Sequence, residues 1–300
     1  MNIENSQNVQ DVENMNKLLS EFESFLKSNL PKAPSFHPFY EKALAKMLEA
    51  GGKRFRPMLL LSVVEAKNKM LIKNAMQVAL GLEYLHTYSL IHDDLPAMDD
   101  APLRRGQETL HITYDETSAI LVGDALNTEA FGLISKAALS NDIKIELISS
   151  LSENGGINGM VLGQAIDCYF ENKKLDLEQI NFLHIHKTAK LIACSLKMGA
   201  IIASYDIKTQ NEIYDFGINL GLLFQIQDDI LDITQSSKKA GKTTQNDTEK
   251  NSFVNLLGLE GAKSSADELA NKCILQIDTF DANLKKALKG LLSEYFFRHC

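Results

Sequence analysis

Residues 87–100 read TYSLIHDDLPAMDD. An apolar helical pattern runs up to His92. Four aspartates and a proline then fall within the nine residues His92 to Asp100. Pro96 has no N–H, and its ring clashes with the carbonyl of His92, so the helix kinks or ends there. A straight helix would align Asp93 with Asp100. The break removes that register, and geometry leaves both Asp99 and Asp100 open as the partner of Asp93. Carboxylates emerging from a buried helix are costly unless something compensates them. Hard cations held by oxygen do so, and Mg²⁺ also takes waters and substrate phosphates.

Helical periodicity extends outward in both directions. Residues 12–30, 34–50 and 74–95 carry it upstream. Downstream it covers about 115–138, 142–152, 157–171, 176–203, 209–235, 250–257, 262–278 and 282–298. No segment gives sustained strand alternation between hairpin turns. The polar run 234–252 is the clearest loop. One all-α domain over residues 1–300, with helices packed around a central cavity or core, is the expected fold.

The 300 residues are 45% apolar and 23% charged, enough for a large core. A net charge of −8 argues against a nucleic-acid surface, so an anionic ligand needs a local basic cluster or metal ions. Cys168, Cys194, Cys273 and Cys300 show no zinc spacing, which suits a reducing compartment. The polar, acidic first residues lack a leader pattern, and no tract suits a membrane span. A cytoplasmic protein is expected.

A second acidic stretch, FQIQDDILD, spans Phe224 to Asp232. It has no helix breaker, so Asp228 and Asp232 share one face about 40° apart. Asp229 points elsewhere. The basic counterparts are GGKRFRP (51–57), with Lys53, Arg54 and Arg56, and LRRG (103–106), with Arg104 and Arg105. Arginine forks suit phosphate oxygens. His86 and His92 lie on an apolar helix, where the default is a core histidine. Gln164 and Asp167 share a helix face, either as cavity polar groups or as a helix–helix bond.

Together these blocks resemble the trans-isoprenyl diphosphate synthases. GGKRFRP, HDDLPAMDD with LRRG, GDALNTEAF (123–131), GQAID (163–167), HKTAKLI (186–192) and FQIQDDILD occur in family order over nearly the whole chain. The resemblance implies an all-α homodimer with the two acidic stretches facing across a deep cavity. Asp93 and Asp99 would ligate Mg²⁺ from one wall and Asp228 from the other, with Asp94, Asp229 and Asp232 in support, for about three ions. Arg104, Lys187, Thr188, Gln225 and Lys242 would hold an allylic diphosphate. Gly52, Lys53, Arg56, His86 and Arg105 would hold isopentenyl diphosphate. The implied reaction condenses isopentenyl diphosphate with dimethylallyl and geranyl diphosphates.

Two departures stand out. Ala101 and Pro102 replace the acids that commonly follow Asp100 in the family, and GKTTQND (241–247) replaces its GKTxGKD pattern. Tyr88, five residues before Asp93, resembles the aromatic that caps the cavity in bacterial farnesyl diphosphate synthases, with Ser89 beside it. A fifteen-carbon product is expected. The rivals are a geranylgeranyl diphosphate synthase and, from another class, an HD-type metal phosphohydrolase built on His92 and Asp93.

Overall fold

The structure, a computed structural model, describes residues 2–234 and 251–296. In chain order the helices are α1 (Asn2–Ser28), α2 (Tyr40–Glu49), α3 (Phe55–Lys67), α4 (Ile72–Asp93), the single turn α5 (Leu110–Thr113) and α6 (Glu116–Ser135). They continue with α7 (Asn141–Gly155), α8 (Met160–Phe170), α9 (Leu177–His184), α10 (Lys190–Ile202) and α11 (Ile207–Thr234). Last come α12 (Phe253–Ile277) and α13 (Ala282–Tyr295). The all-α architecture agrees with the sequence pattern. Among the described residues the exception is a two-residue antiparallel pair, β1 (Leu103–Arg104) with β2 (Gln107–Glu108), which closes the turn at Arg105 and Gly106.

Helix α4 is the interior axis. It is buried on nearly every side, from Ala75 through Leu85 to Ile91, as a helix apolar all round must be. Helices α3 and α6 flank it, α3 carries α10, α10 packs on α11, and α11 on α12. The C-terminal end of α4 opens toward α8 and the turn that precedes α10.

Three local expectations change. Residues 34–39 are not helical, because Pro38 biases its predecessor away from the helical region. Instead, Nδ1 of His37 accepts the N–H of Tyr40 at 3.1 Å as α2 begins. The pattern over 176–203 contains one π-helical turn, Ile185–Ala189, between α9 and α10. The patterns at 250–257 and 262–278 merge into α12, with a kink at Gly258 (φ 71°).

Arg54 is not part of an open basic patch. Its side chain is 1% exposed. Nε donates to Glu23 at 2.6 Å, Nη1 to Glu83 at 2.8 Å and Nη2 to the Leu48 carbonyl at 2.6 Å. Burial works against this charge, but Glu83 and Glu23 more than offset it and hold the guanidinium above its ordinary pKa. Arg54 thus ties α1, α2 and α4 to the turn before α3. Arg54→Ala leaves Glu83 buried without its nearest cation and should cost about 3–5 kcal/mol of folding stability. Lys53→Ala, on the exposed neighbour, should change it by less than about 0.5 kcal/mol. Urea unfolding midpoints of the two variants check this, and equal midpoints would remove Arg54 from the framework.

Candidate active site

The last turn of α4 concentrates negative charge where the helix dipole is also negative. Past Asp94 the chain folds back on itself. The Asp99 N–H donates to the Asp93 carbonyl at 2.9 Å, and the Ala101 N–H to the Asp94 carbonyl at 3.1 Å. These bonds bring Asp99 back beside Asp93. The Asp99 charge acts on Asp93, Asp94, Arg104 and Lys187. Asp100 sits in a left-handed conformation (φ 46°) with its side chain 73% exposed, 4.0 Å from Nε2 of His111.

Cations and an amide gather around these acids. Arg104, held by the β1–β2 pair, donates to Asp94 Oδ1 from Nε (2.8 Å) and Nη2 (2.5 Å), and its Nη2 lies 3.8 Å from Asp93. Gln164 of α8 donates to Asp93 Oδ1, and Lys187 lies 4.0 Å from the same oxygen while paired to Asp167. Burial raises the Asp93 carboxyl above its usual pKa against the pull of Lys187, and the Asp99 charge adds to the rise. Burial likewise pushes Asp94 up to about 6 despite Arg104. For Lys187 burial alone would lower the pKa, but Asp93 and Asp167 outweigh it and hold the ammonium above its ordinary value. Lys187 rides on the π turn. A Cβ on Gly163 would run into the Lys187 backbone, so glycine in α8 is what lets Gln164 and Lys187 approach Asp93 together.

The second acidic stretch lies on α11 without interruption. The Thr188 hydroxyl donates to Gln225 at 2.8 Å, and Gln225 donates to Asp229 at 2.8 Å. The Phe253 N–H donates to the other Asp229 oxygen at 2.8 Å. Asp228 is half-buried and Asp232 buried. Among the described residues, no three His, Cys, Asp or Glu side chains converge as a ready-made cage for a metal ion. Mg²⁺ is usually held by one or two carboxylates together with phosphate and water oxygens. Asp94 Oδ2 is buried with no hydrogen-bond partner, and Asp93 faces the cavity, so the hard oxygen donors fit that ion.

A separate cationic pocket forms around His86. Arg56 Nη1 lies 3.1 Å from His86 Nε2. A guanidinium only donates, so Nε2 accepts and the ring proton sits on Nδ1. That N–H and Arg56 Nε are both buried without a partner. Burial, then the charges of Arg56 and Arg105, hold His86 well below its ordinary pKa, and burial lowers Arg56 to about 10. Arg105 leans over Gly52, where a Cβ would meet its guanidinium at 2.9 Å, and reaches Glu83 at 3.7 Å. Lys53 is exposed at the same turn.

A cavity of about 420 Å³ joins the two ends. Arg56, His86, Asp93, Gln164, Lys187 and Thr188 supply its polar lining. Tyr88, Ser89, Met98, Met160, Val161 and Ala165 supply much of the rest. Tyr88 is buried, its ring edge-on to His92 at 5.7 Å.

The chain matches known proteins over most of its length. A family model described as Polyprenyl synthetase matches residues 37–291. The chain belongs to that family. The farnesyl diphosphate synthase of Micrococcus luteus is 43% identical over 233 residues, 76% of this chain and 80% of that one. The farnesyl diphosphate synthase of Haemophilus influenzae is 36% identical over 291 residues, 94% of this chain and 97% of that one. The crystal structure of a geranyltransferase from Helicobacter pylori, complexed with magnesium and isoprenyl diphosphate, superposes with a TM-score of 0.91. It is 49% identical and covers 96% of this chain and 98% of that one.

Within this polyprenyl synthetase, the sequence-derived residues separate into two groups. Asp93, Asp99, Arg104 and Lys187 converge, as do Gly52, Arg56, His86 and Arg105. Asp94, counted among the metal acids, has one oxygen taken by Arg104. Asp229 is tied into the Gln225 chain. Lys242 and the rest of the GKTTQND stretch lie outside the described residues. His92 Nε2–H donates to the Ile120 carbonyl at 3.0 Å, so that nitrogen has no lone pair for the metal that a phosphohydrolase reading needs there. Of the pair on α8, Gln164 lines the cavity while it bonds Asp93, and Asp167 joins α8 to the π turn through Lys187. Glu83 was missed, since a lone acid in an apolar helix carries no motif.

Below the π turn, His184 is 5% exposed, and Nε2 donates to the Asn251 carbonyl at 3.2 Å. Burial lowers its pKa to about 4. The unfolded chain therefore takes up a proton near pH 6.5 that the folded protein refuses, and this contribution falls as pH drops from about 6.5 toward 4. The stability gap between wild type and His184→Gln should narrow by up to about 3 kcal/mol over that window. Urea unfolding at stepped pH checks it, and a constant gap would mean that His184 is not buried neutral.

Proposed function

We propose that the protein is a Mg²⁺-dependent prenyltransferase. It condenses isopentenyl diphosphate head-to-tail with dimethylallyl and then geranyl diphosphate, giving farnesyl diphosphate. The supporting observation is one apolar cavity with two chemically different polar ends, acids with cations at Asp93 and uncompensated N–H donors at Arg56 and His86.

By the resemblance, Asp93 and Asp99, with Asp228 of the second acidic stretch and Asp232 in support, would hold about three Mg²⁺ ions, and the bound metal would supply positive charge to the allylic diphosphate as it leaves. Arg104 and Lys187 orient that diphosphate, with Lys242 assigned by resemblance. Thr188 and Gln225 line the reacting region. Arg56, Arg105, Lys53 and the His86 Nδ1–H bind the isopentenyl diphosphate. The apolar walls exclude water while the isopentenyl double bond attacks the allylic carbon, and the proton lost leaves with the diphosphate. No side-chain nucleophile is needed.

We read residues 1–300 as one domain and the enzyme as a homodimer. Exposed Ile120 and Leu121 on α6 and Ile112 on adjoining α5 form an apolar face suited to a second copy. Cytoplasmic placement fits the free thiols of Cys168, Cys194 and Cys273. Among the described residues no helix is long and apolar enough to cross a membrane.

Incubation with isopentenyl and geranyl diphosphates plus Mg²⁺, with products sized, tests the reading. Phosphate release without carbon–carbon bond formation would overturn it. Asp93→Asn keeps the shape and removes the charge, and turnover should fall by about 100-fold or more, equivalent to ~3 kcal/mol. Near-normal turnover would reject Asp93 as a metal ligand. Tyr88 lies about 7.5 Å along α4 from Asp93, in the path of an elongating chain. Tyr88→Ala opens an apolar void that another isoprene unit can fill, so products should shift from fifteen toward twenty carbons or more. An unchanged product from an active variant would remove Tyr88 as the length gate.

A further inference from the structure

The turn before α3 enters the left-handed region at Gly51 (φ 80°), Gly52 (φ 121°) and Arg54 (φ 46°). Such a turn persists only where its surroundings over-determine it. The Arg54 side chain fixes one end through Glu23 and Glu83. The other support comes from the far end of the chain. The Tyr295 hydroxyl, at the last residue of α13, donates to the Lys53 carbonyl at 3.0 Å.

The ring of Tyr295 is anchored too. Its centroid lies 4.8 Å from that of Phe55, the first residue of α3. Phe296 meets Phe55 at 5.8 Å and Phe224 at 6.1 Å, and Phe55 stacks on Phe224 at 5.2 Å. Four rings thus join the start of α3 and the end of α13 to the part of α11 just before Gln225 and Asp228. Packing alone would be served by phenylalanine. The hydroxyl adds a directed bond to the backbone of Lys53, the residue assigned above to the isopentenyl diphosphate.

We infer that Tyr295 is a positioning residue for the isopentenyl diphosphate pocket, fixing the Lys53 carbonyl and through it the Lys53 side chain and the Gly52 amide. The inference rests on the substrate assignment proposed above. Tyr295 touches no reacting atom. Its bond orders the turn before the anion arrives, so binding does not bear that ordering cost. The effect falls on one substrate, because the allylic diphosphate is handled at the Asp93 end.

Tyr295→Phe keeps the ring and removes the hydroxyl. The KM for isopentenyl diphosphate should rise about five- to tenfold, the scale of one lost hydrogen bond. The KM for geranyl diphosphate, kcat and Tm should stay close to wild type, within about twofold for the kinetic constants. Tyr205→Phe is the control, since that hydroxyl donates to Asp281 at 3.3 Å beside Lys67, at the opposite end of α3. It should leave both KM values unchanged. Equilibrium titration with isopentenyl diphosphate alone reads the same turn without turnover, and should show the same weakening in Tyr295→Phe. If wild type fails to condense but this difference in binding persists, the proposed reaction falls and the positioning role stands. Unchanged isopentenyl KM and Kd in Tyr295→Phe would overturn the inference. A drop in kcat or Tm with both KM values unchanged would overturn it equally, because that is the signature of a tyrosine that only supports the fold.

Discussion

The burial of like charge at the C-terminal end of α4 is the constraint from which the site follows. Asp93 and Asp94 sit where the helix dipole already disfavours anions, and the chain folds Asp99 back beside them. Such an arrangement stands only if cations and donors are brought to it. The short β pair brings Arg104, the π turn brings Lys187, and Gly163 lets α8 bring Gln164 close enough to reach Asp93. Each of these irregular features has the same cause. Regular helices alone do not place three donors around one carboxylate.

The same helix organises the cationic pocket. Glu83, 1% exposed, is the internal counterion for Arg54 and lies 3.7 Å from Arg105. His86 follows within one turn and accepts from Arg56. Tyr88 and Ser89 then line the cavity before Asp93 is reached. Polar residues on a helix buried all round are expensive, and here several of them face either a compensating charge or the cavity. The spacing along α4 therefore sets the distance between the two polar ends.

The basic pocket has an excess of donors that the protein does not satisfy by itself. Arg56 Nε and His86 Nδ1 are buried without partners, and the lowered pKa values of both groups express the same desolvation. The acid end is the reverse, with anions that outnumber their close cations. Under the function proposed above, one end would receive an anion directly and the other through metal ions. This asymmetry would let a single cavity hold two diphosphates without confusing them.

The sequence by itself determined the helical class, because the 3.6-residue period of its apolar residues recurs through most of the chain. It also determined the two acidic stretches and the two basic turns, because charge clusters beside glycine or proline are local patterns. Tertiary structure decided what no local pattern encodes. It chose Asp99 over Asp100, because the backbone direction after Pro96 depends on hydrogen bonds back to Asp93 and Asp94. It separated glutamate-paired Arg54 from Lys53 and Arg56, because the partners a side chain meets depend on what α1 and α4 place around the turn. It turned His92 away from the acids, toward the Ile120 carbonyl. It joined Tyr295 to Lys53, a pairing across 242 positions that only the packing of α13 on α3 creates. Periodicity reports which face of a helix is buried, whereas the partner met on that face is a property of the assembled bundle.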